Sequence, residues 1–233
     1  MFFCLFFWAF FFGQALAISQ VTPIWKPFGS AKHDGTGNEH AFATRDSSFC
    51  GSAPFFSGAV TLPGLAAFNN NVPTLGGYLA QPFVSTAAPR MLTSVNIAVW
   101  TLTSSTTYAL NPFPSGLNWI LYSSTGVKIT SGSATSILSV LSGPIGTTPN
   151  YNLFDVTFDL DLAPILASST NYLFGLSWPD VDSGSQNINW VANDSPTPNL
   201  WSAPDANTQA VVESAVTASL FMRLCGQPFS GNE

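Results

Sequence analysis

The chain has 233 residues, a formal net charge of −6, 46% apolar residues and only 8% charged ones. Its six cationic side chains, Lys26, Lys32, Arg45, Arg90, Lys128 and Arg223, are scattered; no basic patch is available to neutralise nucleic-acid phosphates or an anionic membrane surface. Twenty Phe and seven Trp demand burial and exclude a disordered chain, while Ser, Thr, Asn and Gly carry the polarity that Glu and Lys carry in cytosolic helical proteins.

The chain opens with MFFCLFFWAFFFGQALA. Residues 2–12 are an unbroken apolar run, Gly13 and Gln14 end it, and Ala15-Leu16-Ala17 has the small-x-small form of a cleavage site. This predicts a secretory signal peptide over 1–17, although only the terminal amine supplies its positive end. The run is too short for a comfortable membrane span. The expected product begins near Ile18, is secreted and extracellular, and has no membrane contact once the leader is gone. Cys4 leaves with the leader. Cys50 and Cys225 remain, and in an oxidising compartment a disulfide between them is expected. It would close a loop of about 175 residues, worth up to about 5 kcal/mol on the chain-entropy view. Two buried thiols are the alternative, since cysteine is commonly buried anyway.

Residues 18–53 read as an irregular N-terminal arm with Pro23, Pro27 and several Gly. Its HDGTGNEH run brings His33, Asp34, Glu39 and His40 close in sequence. These are metal-ligand types, but their spacing matches no zinc pattern and the Gly-rich link cannot hold a rigid geometry, so no metal is assigned.

Strand signals begin at 54–62 (FFSGAVTL), before a loop over 63–72. YLAQPFV follows Gly76-Gly77. Over 92–100, Val95, Ile97 and Val99 alternate with Ser94, Asn96 and Ala98. The stretches 117–123 and 127–131 flank Ser124-Thr125-Gly126, a hairpin turn, and 139–150 reads as a Gly/Pro/Thr loop. The clearest segment is 154–179. Phe154, Val156, Phe158 and Leu160 alternate there with Asp155, Thr157, Asp159 and Asp161, which predicts a half-buried strand with its carboxylates in water. After a turn holding Pro164, Tyr172, Phe174, Leu176 and Trp178 repeat the alternation. Then come a polar turn over 180–186, a short strand over 188–192, a Pro/Asn loop over 196–208, an ambiguous VVESAV and a closing strand over 219–225. About nine or ten short strands with regular turn signals predict an all-β fold, an antiparallel β-sandwich of jelly-roll kind. A single domain over 54–228 with a short tail at 229–233 is expected.

Several strings recur in a known order: LAQPFVSTAAPRMLTSVNIAVW, then WILYSSTGVKITSG, then FDVTFDLDLAPILASSTNYLFGLSW, then INW and FMRLCGQP. This order resembles the choice-of-anchor domains of secreted and surface proteins, the R type most closely. Leu160, Leu162, Thr170, Tyr172 and Leu176 stand in for the family's hairpin motif, and the match runs from Gly58 to Pro228. The resemblance implies an extracellular β-sandwich module with no assigned activity. Such modules sit beside anchoring signals; here only FSGNE follows Pro228, with no sorting motif or hydrophobic tail.

Catalytic machinery is not evident. His33 and His40 are the only histidines, no G-x-S-x-G elbow occurs, and Asp155, Asp159 and Asp161 share one strand face instead of facing each other across a cleft. No catalytic residue and no cofactor is assigned. Asp180-Val181-Asp182-Ser183-Gly184 starts like a calcium loop, but Val191 stands where the closing Glu would be; a polar turn is the reading, with calcium at Asp180 and Asp182 left open. The Trp residues are the stronger hint. Trp190 sits among Asn187, Asn189 and Asn193, and Trp201 near Asn199. An exposed indole stacks on a sugar ring while amides read its hydroxyls, so Trp190, Trp201, Asn189 and Asn199 are candidate ligand-binding residues; burial in the core is the plain alternative. Asn193-Asp194-Ser195 is a glycosylation sequon weakened by Asp194 and Pro196. The expected function is a non-catalytic extracellular sandwich, structural or surface-associated. The alternative is a carbohydrate-binding module for wall or matrix glycans, and a hydrolase is a distant third. Its partners would be a cell-wall or matrix polysaccharide or another surface protein.

Overall fold

The computed structural model describes residues 54–58, 65–69, 78–102, 111–113, 116–144, 151–177, 188–193, 199–203, 211–217 and 219–229. Residues 1–53, with His33, His40 and Cys50, and residues 178–187, with Asp180 and Asp182, lie outside the described residues.

The strands in chain order are β1 Phe56–Ser57, β2 Leu65–Asn69, β3 Tyr78–Val84, β4 Arg90–Leu102, β5 Asn118–Ser123, β6 Lys128–Pro144 and β7 Tyr151–Leu160. They continue as β8 Ile165–Leu166, β9 Asn171–Ser177, β10 Ile188–Asn193, β11 Asn199–Ala203, β12 Val212–Thr217, β13 Ser219–Leu220 and β14 Met222–Pro228. Among the described residues these fourteen strands form one sheet in the order β1-β14-β4-β7-β6-β5-β9-β3-β11-β12, with β10 beside β4, β2 and β13 beside β10, and β8 beside β4. All pairings are antiparallel. The all-β, antiparallel expectation therefore holds.

The sheet wraps into a nearly closed, barrel-like form because of β6. This 17-residue strand pairs with β5 from Lys128 to Ser133 and with β7 from Ala134 to Pro144. Where it changes partner, its register shifts between Thr135 and Leu138, and Ser136 adopts a left-handed φ of 50°. A bulge of this kind bends a strand and increases its twist, which lets one strand serve two walls. Both walls then face a single core. Val95, Ile97 and Val99 of β4 and Phe154, Val156 and Phe158 of β7 meet Leu79 and Phe83 of β3, Trp119 and Leu121 of β5, and Phe174 and Leu176 of β9. Burying each such side chain contributes about 1.5–3 kcal/mol.

The period-of-two readings over 92–100, 154–161 and 172–178 fall on β4, β7 and β9, with Trp178 outside the described residues. Other stretches differ. The expected loop over 63–72 contains β2, the loop over 139–150 begins inside β6, and the loop over 196–208 contains β11. VVESAV is strand, not helix, and β12 pairs with β11. These segments lack a clean apolar alternation. They are strands because a neighbour across the sheet satisfies their backbone groups, as β10 does for β2 along five residues.

The carboxylate-bearing strand also needs correction. Asp155 is buried at 6% exposure and accepts a hydrogen bond from Asn96 Nδ2. Asp159 stays exposed and accepts from Ser94 Oγ at 2.7 Å. Asp161 lies just past the end of β7, where Trp119 donates its indole N–H to Oδ1 at 2.9 Å.

Candidate functional site

The wall made of β3, β9 and β5 has a second, smaller apolar cluster on its outer side, where Ala80, Ile120, Tyr122, Leu173 and Val211 are buried and Trp201 packs against them. Gly175 permits this packing, since a Cβ there would lie 3.0 Å from Ile120 Cγ2 and 3.1 Å from Tyr122 Cε2. Trp201 is held by two neighbours: it stands opposite Ala80 of β3 and opposite Glu213 of β12.

The β5–β6 turn closes one side of this cluster. Ser123 Oγ lies 2.9 Å from Thr125 Oγ1 and accepts the N–H groups of Thr125 and Val127, each at 3.3 Å. Gly126 takes a φ of 79°, which favours glycine, and its carbonyl accepts the Val211 N–H at 3.4 Å. A Cβ at Gly126 would overlap the Val211 carbonyl and lie 3.0 Å from Trp201 Cζ3. The indole is therefore seated against the turn, half-buried. On the same strand pair, Asn199 Nδ2 donates to Glu213 Oε1 at 2.7 Å, with Glu213 exposed. A bulge between Asn199 and Trp201 separates the amide from the ring.

Of the four residues expected to bind a ligand, this place gathers Trp201 and Asn199 and adds Glu213, which the sequence reading passed over. Trp190 is elsewhere and must be removed from the sugar-stacking platform. It has no exposed surface and its indole N–H donates to the Phe221 carbonyl at 2.8 Å. A ring enclosed by the core on both faces offers none to a sugar. Asn189 occupies β10 between Trp100 and Asn69, and Asn193 ends the same strand, paired with Leu65 and with Ser219.

What remains at Trp201 is a half-exposed indole, an amide and a carboxylate, with hydroxyls on the neighbouring turn. That set can stack and hydrogen-bond. Among the described residues no group of three or more His, Cys, Asp or Glu is placed to hold a metal ion.

Two polar residues, one unmentioned in the sequence reading and one expected only on a wet strand face, are used in packing. Gln81 shares the inward phase of β3 with Leu79 and Phe83, is buried at 1% exposure, and accepts the Leu220 N–H with Oε1. It ties one wall to the other. The signal was legible as a polar residue in the apolar phase of LAQPF, which a core tolerates only when the group is hydrogen-bonded. Asp161 likewise serves Trp119. Hydrogen bonding with the Ser133 backbone is the largest influence on its carboxyl, with the Trp119 indole a further one, and the pKa falls below the usual 3.8.

No family model matches this chain, and no curated protein sequence matches it significantly.

Proposed function

We propose that the chain is a secreted, non-catalytic extracellular module of jelly-roll β-sandwich type, structural or surface-associated, akin to the choice-of-anchor domains. The observation that carries this reading is how the acidic strand is used. Asp155, Asp159 and Asp161 are engaged by Asn96, Ser94 and Trp119 respectively. Each carboxylate holds one strand to another instead of facing a partner across a cleft, the arrangement that hydrolysis of a glycan needs.

A Cys50–Cys225 disulfide is part of the proposal. Cys225 is buried at 2% exposure in β14. The chain just before β1 runs beside it, since Phe56 pairs with Leu224 and the Phe55 N–H donates to the Leu224 carbonyl at 3.0 Å. Cys50 is five residues upstream of Phe55. A thiol count on the secreted protein should find no free thiol, and two free thiols would refute the bridge.

The second reading, a carbohydrate-binding module, is favoured by one observation: Trp201, Asn199 and Glu213 share the β11–β12 pair. A glycan array with a pull-down on insoluble polysaccharides separates the two. The structural reading expects no retention. Retention abolished by Trp201→Ala, with the fold intact, would replace it with the second.

A further inference from the structure

We propose that one edge of β6 is an interaction surface and that its partner is a second copy of this chain, paired antiparallel through residues 136–142 about a two-fold axis at Ser139. β6 has β5 on one side as far as Ser133 and β7 on the other from Ala134 onward. On the β5 side the Ala134 N–H still bonds to the Leu117 carbonyl at 2.8 Å. Beyond it, no strand among the described residues continues along that side. The second half of β6 is thus an edge of the described sheet, with backbone groups that another strand can pair.

Edges of this kind are ordinarily guarded by Lys, Pro or inward-pointing charge. From Ile129 to Gly143, β6 contains none of them. Bulges are another guard, but here they lie between Thr135 and Leu138 and between Leu141 and Gly143. They bracket the stretch without interrupting it. Between them Leu138, Ser139, Val140 and Leu141 pair in regular register with Thr157, Val156, Asp155 and Phe154. Leu138 and Leu141 are 60% and 51% exposed. An apolar edge left open in this way invites pairing with another chain.

The residues of the edge select that chain. Positions 136–142 read S-I-L-S-V-L-S, nearly the same in both directions about Ser139. An antiparallel pair built on a two-fold axis sets each residue opposite its mirror position. Leu138 then meets Val140 of the second copy, Ile137 meets Leu141, and serine meets serine. Opposed residues must share a face of the sheet, and these do. Leu138 and Val140 stand opposite Thr157 and Asp155, which alternate with the inward Val156 and Phe158. Ile137 packs against the core and Leu141 stands opposite inward Phe154, so both belong to the other face. Moving the axis to Leu138 or Val140 would set Ser139 against Ile137 or Leu141 and lose the match.

Charge agrees with this occupant. The chain carries a net charge of −6, so two copies repel over most approaches. The run from Ile129 to Phe154 has no charged residue, and there two copies can meet at least cost. A foreign strand selected by charge would find nothing on this edge to read.

The test is sedimentation of the full chain from micromolar to millimolar concentration, with hydrogen exchange at both ends of the range. A dimer should form as concentration rises, and alternate amides within 136–142 should then exchange about tenfold more slowly. Leu138→Lys places a charge at an exposed position of the edge and should return the chain to monomer. Val84→Lys, at a 55% exposed site on β3, should leave the dimer in place. A chain that stays monomeric throughout overturns the proposal. So does a dimer that persists in Leu138→Lys, or one whose slowed amides lie outside 136–142. The exchange readout uses the unaltered chain, so it decides the matter even if Leu138→Lys fails to fold.

Discussion

Trp119 and Asp161 form a hydrogen bond that joins the core to the surface. Trp119 has no exposed area, yet its indole N–H reaches Oδ1 of Asp161, an exposed residue, at 2.9 Å. The carboxylate also accepts the Leu162 N–H at 3.0 Å. Removing the acceptor strands a buried donor, which costs about 1–3 kcal/mol. Asp161→Ala should lower stability by about that amount in urea titrations, and Asp161→Asn by less, because the amide oxygen still accepts.

The same carboxylate predicts a pH dependence. Its pKa is lowered in the folded protein, with hydrogen bonding to Ser133 as the largest cause. A depressed carboxylate contributes stability that is fully present above its unfolded value, near 3.8, and is lost as pH falls through the folded value. Urea midpoints of the wild type should therefore fall in that acidic window, and the fall should be shallower in Asp161→Asn. Equal slopes for the two proteins would contradict this.

Gly132 gives Asp161 its place. A Cβ at Gly132 would overlap the Asp161 carboxylate. Gly132→Ala should cost about 1–3 kcal/mol, the usual penalty of overpacking. In the Asp161→Ala background the penalty should shrink, which a double-mutant cycle measures.

Gln81→Leu tests the tie between walls. The substitution keeps the volume but leaves the Leu220 N–H without the acceptor it has now. A loss of about 1–3 kcal/mol is expected in the unfolding free energy. Gln81→Glu should unfold at a lower temperature than wild type, since it places a carboxylate at a site with 1% exposure.

Trp190 and Trp201 should separate by experiment. Trp190→Ala opens a large cavity in the core and should cost about 3–5 kcal/mol. Trp201→Ala removes a half-buried ring from the outer cluster and should cost less. Thermal unfolding of the two variants orders them.

The contrast between those two indoles shows where reading the chain stopped. Both sit near asparagines in a polar stretch, and nothing in the neighbouring residues says that one is enclosed. Trp190 is inward because β10 pairs with β4 at Trp190–Val99 and so inherits the inward phase of Val99. Asp155 and Asp159 make the same point. They share a face of one strand, yet one is buried and one exposed.

By itself the sequence determined the all-β class and the inward phase of the main strands, because alternation is a local property: successive side chains on an extended backbone point to opposite sides. It thereby selected Val95, Ile97, Val99, Phe154, Val156, Phe158, Phe174 and Leu176 as core, and they are. Only the tertiary structure decided how the strands are ordered, where β6 bends to join the two walls, and which polar groups are paired inside. Those outcomes depend on contacts between residues far apart in the chain, such as Gln81 with Leu220 and Trp119 with Asp161, and no local pattern encodes which distant backbone will supply the partner.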